Sequence, residues 1–226
     1  MSSPVLAFDM DGVLVDVTGS YRAAIIETIR HFTGVTVTPD SVQEWKNRGG
    51  YNNDWVLCHH YCRELGVDVP YDAVVETFNA LFFGENNDGL IAREIWLPRD
   101  GLLERLAAGY RLAIFTGRNR RELDATLRRF APARRFDPVI TSEDVANGKP
   151  APDGLLEIRR RAGAPIAAFL GDTVDDALSA RAAGVPFIGV AAAGAPRRAE
   201  LVEALLRAGA RAVIEDVNRI EEVLPL

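Results

Sequence analysis

Val5-Leu6-Ala7-Phe8-Asp9-Met10-Asp11-Gly12-Val13-Leu14 is the stretch around which the chain is organised. A short apolar run with β-forming residues predicts a buried strand. It runs into two carboxylates one residue apart, then a glycine that lets the backbone turn sharply. Two acids at the end of a buried strand are costly unless something neutralises them. A divalent cation with a phosphate group is the usual partner for such a pair. Asp and Gly are also ordinary turn residues, so the stretch by itself leaves an acidic turn open.

Beyond it, Val13 to Val17 is too short for a core strand and suits a hairpin flap leading outward. From Ser20 the apolar period becomes helical. Tyr21, Ile25, Ile29 and Phe32 share one face of a helix stopped by Gly34. Thr38-Pro39-Asp40-Ser41 is a capping-type start for a second. Leu57, Tyr61 and Leu65 mark a third, ended by Gly66, and Val74, Val75, Phe78, Leu81 and Phe82 a fourth, ended by Gly84. From Leu97 strands and helices alternate. Strands are expected at Arg111 to Phe115, Pro138 to Thr141, Ile166 to Leu170, Pro186 to Val190 and Arg211 to Ile214, with helices between them closed by glycines. That alternation implies an α/β fold, a parallel sheet with helices on both faces. The helices between Val17 and Trp96 read as an all-α insertion. The domain expectation is therefore 1–16 plus 97–226 for the sheet domain and 17–96 for the inserted one, with hinges at Val15 to Tyr21 and Arg93 to Pro98.

Ligands of open parallel sheets bind at the carboxyl ends of the strands. Asp9, Thr116 and Asp172 each follow directly on a different expected strand, and Lys149 comes from the loop after a fourth, so topology gathers them at one edge. Four segments carry a resemblance. Asp9-Met10-Asp11-Gly12-Val13-Leu14, Ile114-Phe115-Thr116-Gly117-Arg118, Gly148-Lys149-Pro150-Ala151-Pro152 and Leu170-Gly171-Asp172-Thr173-Val174-Asp175-Asp176 resemble, in order, the four motifs of the haloacid dehalogenase superfamily. The likeness is to its helical-cap branch, subfamily IA, which includes phosphoglycolate phosphatases. It implies a Rossmann-like core and a cap domain. It also implies roles: Asp9 as nucleophile, Asp11 as general acid and base, and Thr116, Gly117 and Lys149 as holders of the phosphoryl group. Mg²⁺ would be bound by Asp9, the Asp11 carbonyl and Asp172, with Asp175 and Asp176 orienting groups from behind. A helix N-terminal charge favourable to the dipole explains Asp175 equally well. In similar caps a substrate loop falls where Trp45 to Asp54 lies here, which makes Lys46, Arg48, Tyr51 and Asn52 candidates for substrate selectivity; a solvated turn is the plain alternative.

Composition narrows the partners. The 226 residues are 48% hydrophobic and 26% charged with a formal net charge of -6, which speaks against a nucleic-acid surface. The arginines Arg118, Arg120, Arg121, Arg128, Arg129, Arg134 and Arg135 are the exception, and all but Arg118 read as a solvated helix face. No run approaches the ~20 apolar residues that cross a bilayer, and the first strand leaves no room for a signal peptide, so a cytoplasmic protein is expected. Cys58 and Cys62 fall on one helical face. They read as buried thiols, because no second cluster completes a zinc site and a reducing compartment disfavours a disulfide.

The resemblance thus implies a Mg²⁺-dependent phosphatase acting on a small phosphorylated metabolite, as a monomer or homodimer. A phosphomutase of the β-phosphoglucomutase type shares these motifs. Dehalogenase chemistry works without a second aspartate, and Asp11 is present. Phosphonate cleavage needs a cap lysine in surroundings that Lys46 lacks. A non-catalytic metabolite-binding relative would have no use for Asp11.

Overall fold

A computed structural model describes residues 3–130 and 136–224. The chain forms two compact units, one of Met1–Val15 and Trp96–Leu226, the other of Asp16–Ile95.

The first unit is built on a six-stranded sheet in the order β5-β4-β1-β6-β7-β8. These are β1 (Val5–Phe8), β4 (Arg111–Phe115), β5 (Val139–Ile140), β6 (Ile166–Gly171), β7 (Phe187–Val190) and β8 (Ala212–Ile214). Every neighbouring pair runs parallel. β1 is central, with Ala7 opposite Ala113 of β4 on one side and Phe169 of β6 on the other. All four of its residues are fully buried, as a strand covered on both faces should be. The connecting helices are α5 (Leu102–Gly109), α6 (Arg120–Phe130), α7 (Asp153–Ala162), α8 (Val174–Ala183) and α9 (Arg198–Ala208). Phe115, Phe169 and Phe187 pack with Leu155, Ile158 and Leu205 in the core. α7 approaches β4 so closely that a Cβ at Gly154 would sit 2.1 Å from the Phe115 ring.

The second unit holds α1 (Tyr21–Thr33), α2 (Pro39–Arg48), α3 (Asp54–Glu64) and α4 (Tyr71–Phe83). The Thr38 hydroxyl accepts from the Ser41 amide, and the Ser41 side chain accepts from the Thr38 amide, a reciprocal cap for α2. Tyr21, Phe78 and Phe82 form its aromatic centre, with the Tyr21 and Phe82 rings 4.2 Å apart.

Three local expectations change. Leu65 is the residue after α3 and is 38% exposed; Leu57, Cys58 and Cys62 make the buried face instead. Phe32 is only half-buried. The expected Val13 to Val17 flap contributes only β2 (Val15–Asp16), which forms a two-stranded sheet with β3 (Ile95–Trp96), a strand too short to carry any periodicity. Both cysteines are buried free thiols, and burial pushes each upward from its ordinary value. No helix among the described residues is long and apolar enough to cross a membrane. Of the arginine group, Arg120, Arg121, Arg128 and Arg129 are exposed, whereas Arg134 and Arg135 lie outside the described residues.

Candidate active site

Three adjacent strands, β4, β1 and β6, each release a polar residue at the carboxyl edge of the sheet. Asp9 continues β1, its amide donating to the Leu170 carbonyl at 2.8 Å. Thr116 continues β4, its amide donating to the Ile140 carbonyl at 3.0 Å. Asp172 follows the last residue of β6. After Asp9 the chain turns at once: the Met10 carbonyl accepts from Leu14 and Val15 at 2.9 Å. Gly12 has φ +70°, and a Cβ there would lie 2.2 Å from Asp172 Oδ2. Glycine is required on both counts. Its bare face lets the Asp9–Asp11 turn close on Asp172.

Lys149 reaches into this edge from the β5–α7 loop. Its side chain is 0% exposed, with Nζ 2.8 Å from Asp9 Oδ1 and 2.6 Å from Asp176 Oδ1. Nζ also lies 4.9 Å from the Phe115 ring centroid and 5.3 Å from that of Phe169, near enough for a cation–π contribution. Burial alone would push the ammonium down. Asp176 and Asp9 reverse this and hold it above its usual value. For Asp9 burial dominates; Lys149 pulls the other way, Asp176, Asp11 and Asp172 add repulsion, and the carboxyl ends well above the normal range.

Those shifts describe an edge with more negative charge than one lysine neutralises. Oxygens of Asp9, Asp172 and Asp176 lie within 4.8 Å of one another, a hard-oxygen group of the kind that suits a small divalent cation. Asp176 is the most committed of the three. Its Oδ2 accepts from the Thr173 amide at 3.0 Å and the Thr173 hydroxyl at 2.6 Å, while Oδ1 faces Lys149. It caps α8 with one oxygen and meets the lysine with the other, whereas Asp9 meets Lys149 through Oδ1. Asp175 is buried in the first turn of α8.

One pairing at this edge was missed by sequence reasoning. Arg118 follows Thr116 and Gly117 and is buried, with its side chain 1% exposed. Its Nε and Nη2 donate to Asp11 Oδ1 at 2.9 and 2.5 Å, and Nη1 donates to the hydroxyl of Thr126 on α6. The Arg118 amide donates to Thr116 Oγ1 at 3.2 Å. Thr116 is fully buried and Gly117 exposed. Arg118 sits inside one of the quoted motifs, apart from the arginines read as a solvated face, but nothing in the spacing points to Asp11 as its partner.

The remaining candidates belong to the helical unit and are held within it. Lys46 Nζ pairs with Asp54 at 2.6 Å, with only 13% and 14% of the two side chains exposed. Arg48 pairs with Glu44 at 2.8 Å and lies 4.3 Å over the Trp45 ring. Tyr51 packs edge-on against Trp45 at 5.4 Å and lies 5.7 Å from His60. Asn52 precedes Asn53, whose side chain caps α3 by accepting from the Trp55 and Val56 amides. The stretch from Trp45 to Asp54 is thus the end of α2, a five-residue connection and the start of α3.

Comparison with known proteins gives consistent findings. A family model of haloacid dehalogenase-like hydrolases matches residues 4–184. An imidazoleglycerol-phosphate dehydratase from Phytophthora nicotianae is 38% identical over 84% of this chain, and the chain spans only 44% of that protein's length. A phosphoglycolate phosphatase from Mesorhizobium japonicum is 27% identical over 84% of this chain and 83% of its own. Among solved structures, a hydrolase from Pseudomonas syringae superimposes with a TM-score of 0.72 at 22% identity, covering 99% of this chain and 100% of that one.

Proposed function

From the premise that this chain belongs to the haloacid dehalogenase-like hydrolases, as a phosphoglycolate phosphatase-like phosphatase of subfamily IA, we propose that it hydrolyses the phosphate monoester of a small metabolite through an aspartyl-phosphate on Asp9. The observation that carries the reading is the buried Asp9–Lys149–Asp176 array beside Asp172 at the sheet edge. A carboxylate held against an ammonium, with surplus negative charge around it, suits attack on an anion only when a cation is added.

The proposed site for Mg²⁺ is the Asp9 carboxylate, the Asp11 carbonyl and Asp172. Bound there, the ion supplies the charge neutralisation that lets a carboxylate meet a phosphate. An Asp9 oxygen attacks phosphorus. The bond from phosphorus to the ester oxygen breaks, its electron pair leaves with that oxygen, and Asp11 supplies the proton. Water then attacks phosphorus and gives its proton to Asp11, the bond to Asp9 breaks, and orthophosphate leaves. Thr116, the Gly117 amide and Lys149 hold the phosphoryl oxygens and their charge. The helical unit is assigned the role of cap and the choice of substrate, with Arg48, Tyr51 and Asn52 presenting the contacts. Lys46 steadies that segment through Asp54.

The phosphoglycolate phosphatases among the relatives put phosphoglycolate first on the substrate panel. The name of the Phytophthora relative adds an imidazole-bearing phosphate monoester as the second candidate. The test is orthophosphate release from such a panel, sugar phosphates included, with Mg²⁺ and with excess chelator. Turnover should need the metal and vanish in Asp9→Asn. Turnover in Asp9→Asn within tenfold of wild type would refute the covalent route. Isomerised sugar phosphate without orthophosphate would replace it with a mutase.

A further inference from the structure

Asp11 has two carboxylate oxygens, and the structure treats them differently. Both the Nε and Nη2 bonds of Arg118, at 2.9 and 2.5 Å, fall on Oδ1. The guanidinium is itself held through Nη1 on the buried Thr126 hydroxyl, and the Arg118 backbone through the bond from its amide to Thr116 Oγ1. Asp11 is partly exposed while Arg118 is buried, so the buried partner anchors the more exposed one. A planar fork gripping a single oxygen sets the rotation of the whole carboxyl group. We propose that Arg118 is a positioning residue for the general acid and base: it anchors Asp11 by Oδ1 and leaves Oδ2 to exchange the proton with the leaving oxygen and then with water. α6 contributes Thr126 to this anchor, so the helix after β4 takes part in the chemistry without touching substrate. The inference rests on the phosphatase reading for its catalytic consequence, but the Arg118–Asp11 coupling stands apart from it.

Two measurements test it on the full chain. The first is a thermal-unfolding cycle. Arg118→Met should lower Tm by roughly 4 °C or more in the wild-type background. In an Asp11→Ala background the same change should cost little or raise Tm, because there the buried guanidinium has already lost its carboxylate. Equal shifts in the two backgrounds would overturn the proposal, whatever the enzyme's substrate. The second compares esters. An alkyl phosphate needs its leaving oxygen protonated and p-nitrophenyl phosphate does not, so kcat/KM for Arg118→Met should fall about 100-fold on the alkyl ester and less than about 5-fold on the aryl ester. Arg118→Lys, which keeps one charge on Asp11, should recover roughly tenfold of the alkyl loss, and Thr126→Val should show a smaller loss with the same ester bias. Equal losses on both esters, or no loss on either, would overturn it. A wild-type protein that releases no orthophosphate from any ester would refute the phosphatase reading instead, while the unfolding cycle still decides the anchor.

Discussion

Lys149→Met keeps an unbranched apolar side chain and removes the ammonium that faces Asp9 and Asp176 near the Phe115 and Phe169 rings. Two carboxylates that are 6% and 0% exposed at the side chain lose their cation together. Removing one partner of a buried ion pair costs about 3–5 kcal/mol. At about 2–4 °C per kcal/mol for a chain of this size, Tm should fall by roughly 6–20 °C. The loss should depend on pH. Burial already raises the Asp9 carboxyl well above its usual value, even with Lys149 opposing the shift. An acid whose folded value is raised favours the folded state while protonated and disfavours it as pH climbs through that value. The variant should therefore lose more at pH 8 than at pH 5. Asp176→Asn in the same chain should restore part of the loss by removing one of the stranded charges. Thermal unfolding followed by circular dichroism at both pH values reads all of this. A Tm change under about 2 °C, or equal losses at pH 5 and pH 8, would refute the charge argument. Turnover should drop at least ~10²-fold, as it does when a preorganised charge partner of a transition state is lost.

Gly12→Ala places a Cβ against Asp172 Oδ2 at a position with φ +70°; the left-handed backbone costs about 1–2 kcal/mol, and the Mg²⁺ concentration needed to raise Tm should increase as Asp172 is displaced. Gly154→Ala drives a Cβ into the Phe115 ring and should cost about 1–3 kcal/mol by overpacking, read as a lower denaturant midpoint. Burial pushes the Asp144 carboxyl up, but bonds from the Thr141 amide and hydroxyl and from Arg161, with the Arg120 charge, outweigh it and hold it below its ordinary value. That contribution is present above the unfolded value near ~3.9 and is lost as pH falls through the folded one, so Asp144→Asn should flatten the acid limb of Tm against pH. Parallel acid limbs would remove Asp144 from the account.

What was legible in the sequence follows from physical range. β4, β6 and β7 are apolar runs because both faces of their sheet are covered, and α1, α7 and α8 end at Gly34, Gly163 and Gly184 because each adopts the left-handed conformation. Asp9, Thr116 and Asp172 could be grouped because strand ends of a parallel sheet share an edge. The Arg118–Asp11 pair could not: Arg118 stood apart from the exposed arginines that follow, but 107 positions separate it from its partner. The charges of Lys46 and Arg48 were legible as charges, but not their partners. Asp54 claims Lys46 across the connection from α2 to α3, and Glu44 claims Arg48 one helical turn away. β3 was invisible because two residues have no period.

The order of strands in the sheet also has a consequence for synthesis. β1 lies between β4 and β6, and both partners are translated after the whole helical insertion. At about 5–20 residues per second, the chain from Val5 to Arg111 takes roughly 5–20 s to emerge. During that wait α1 to α4, joined by short connections, can settle through local contacts, which form quickly. Val5–Phe8 cannot, because every backbone partner it will have is still to be made. The strand that leads into Asp9 waits for both of its neighbours, and on a nascent chain it is an apolar segment open to capture by a chaperone.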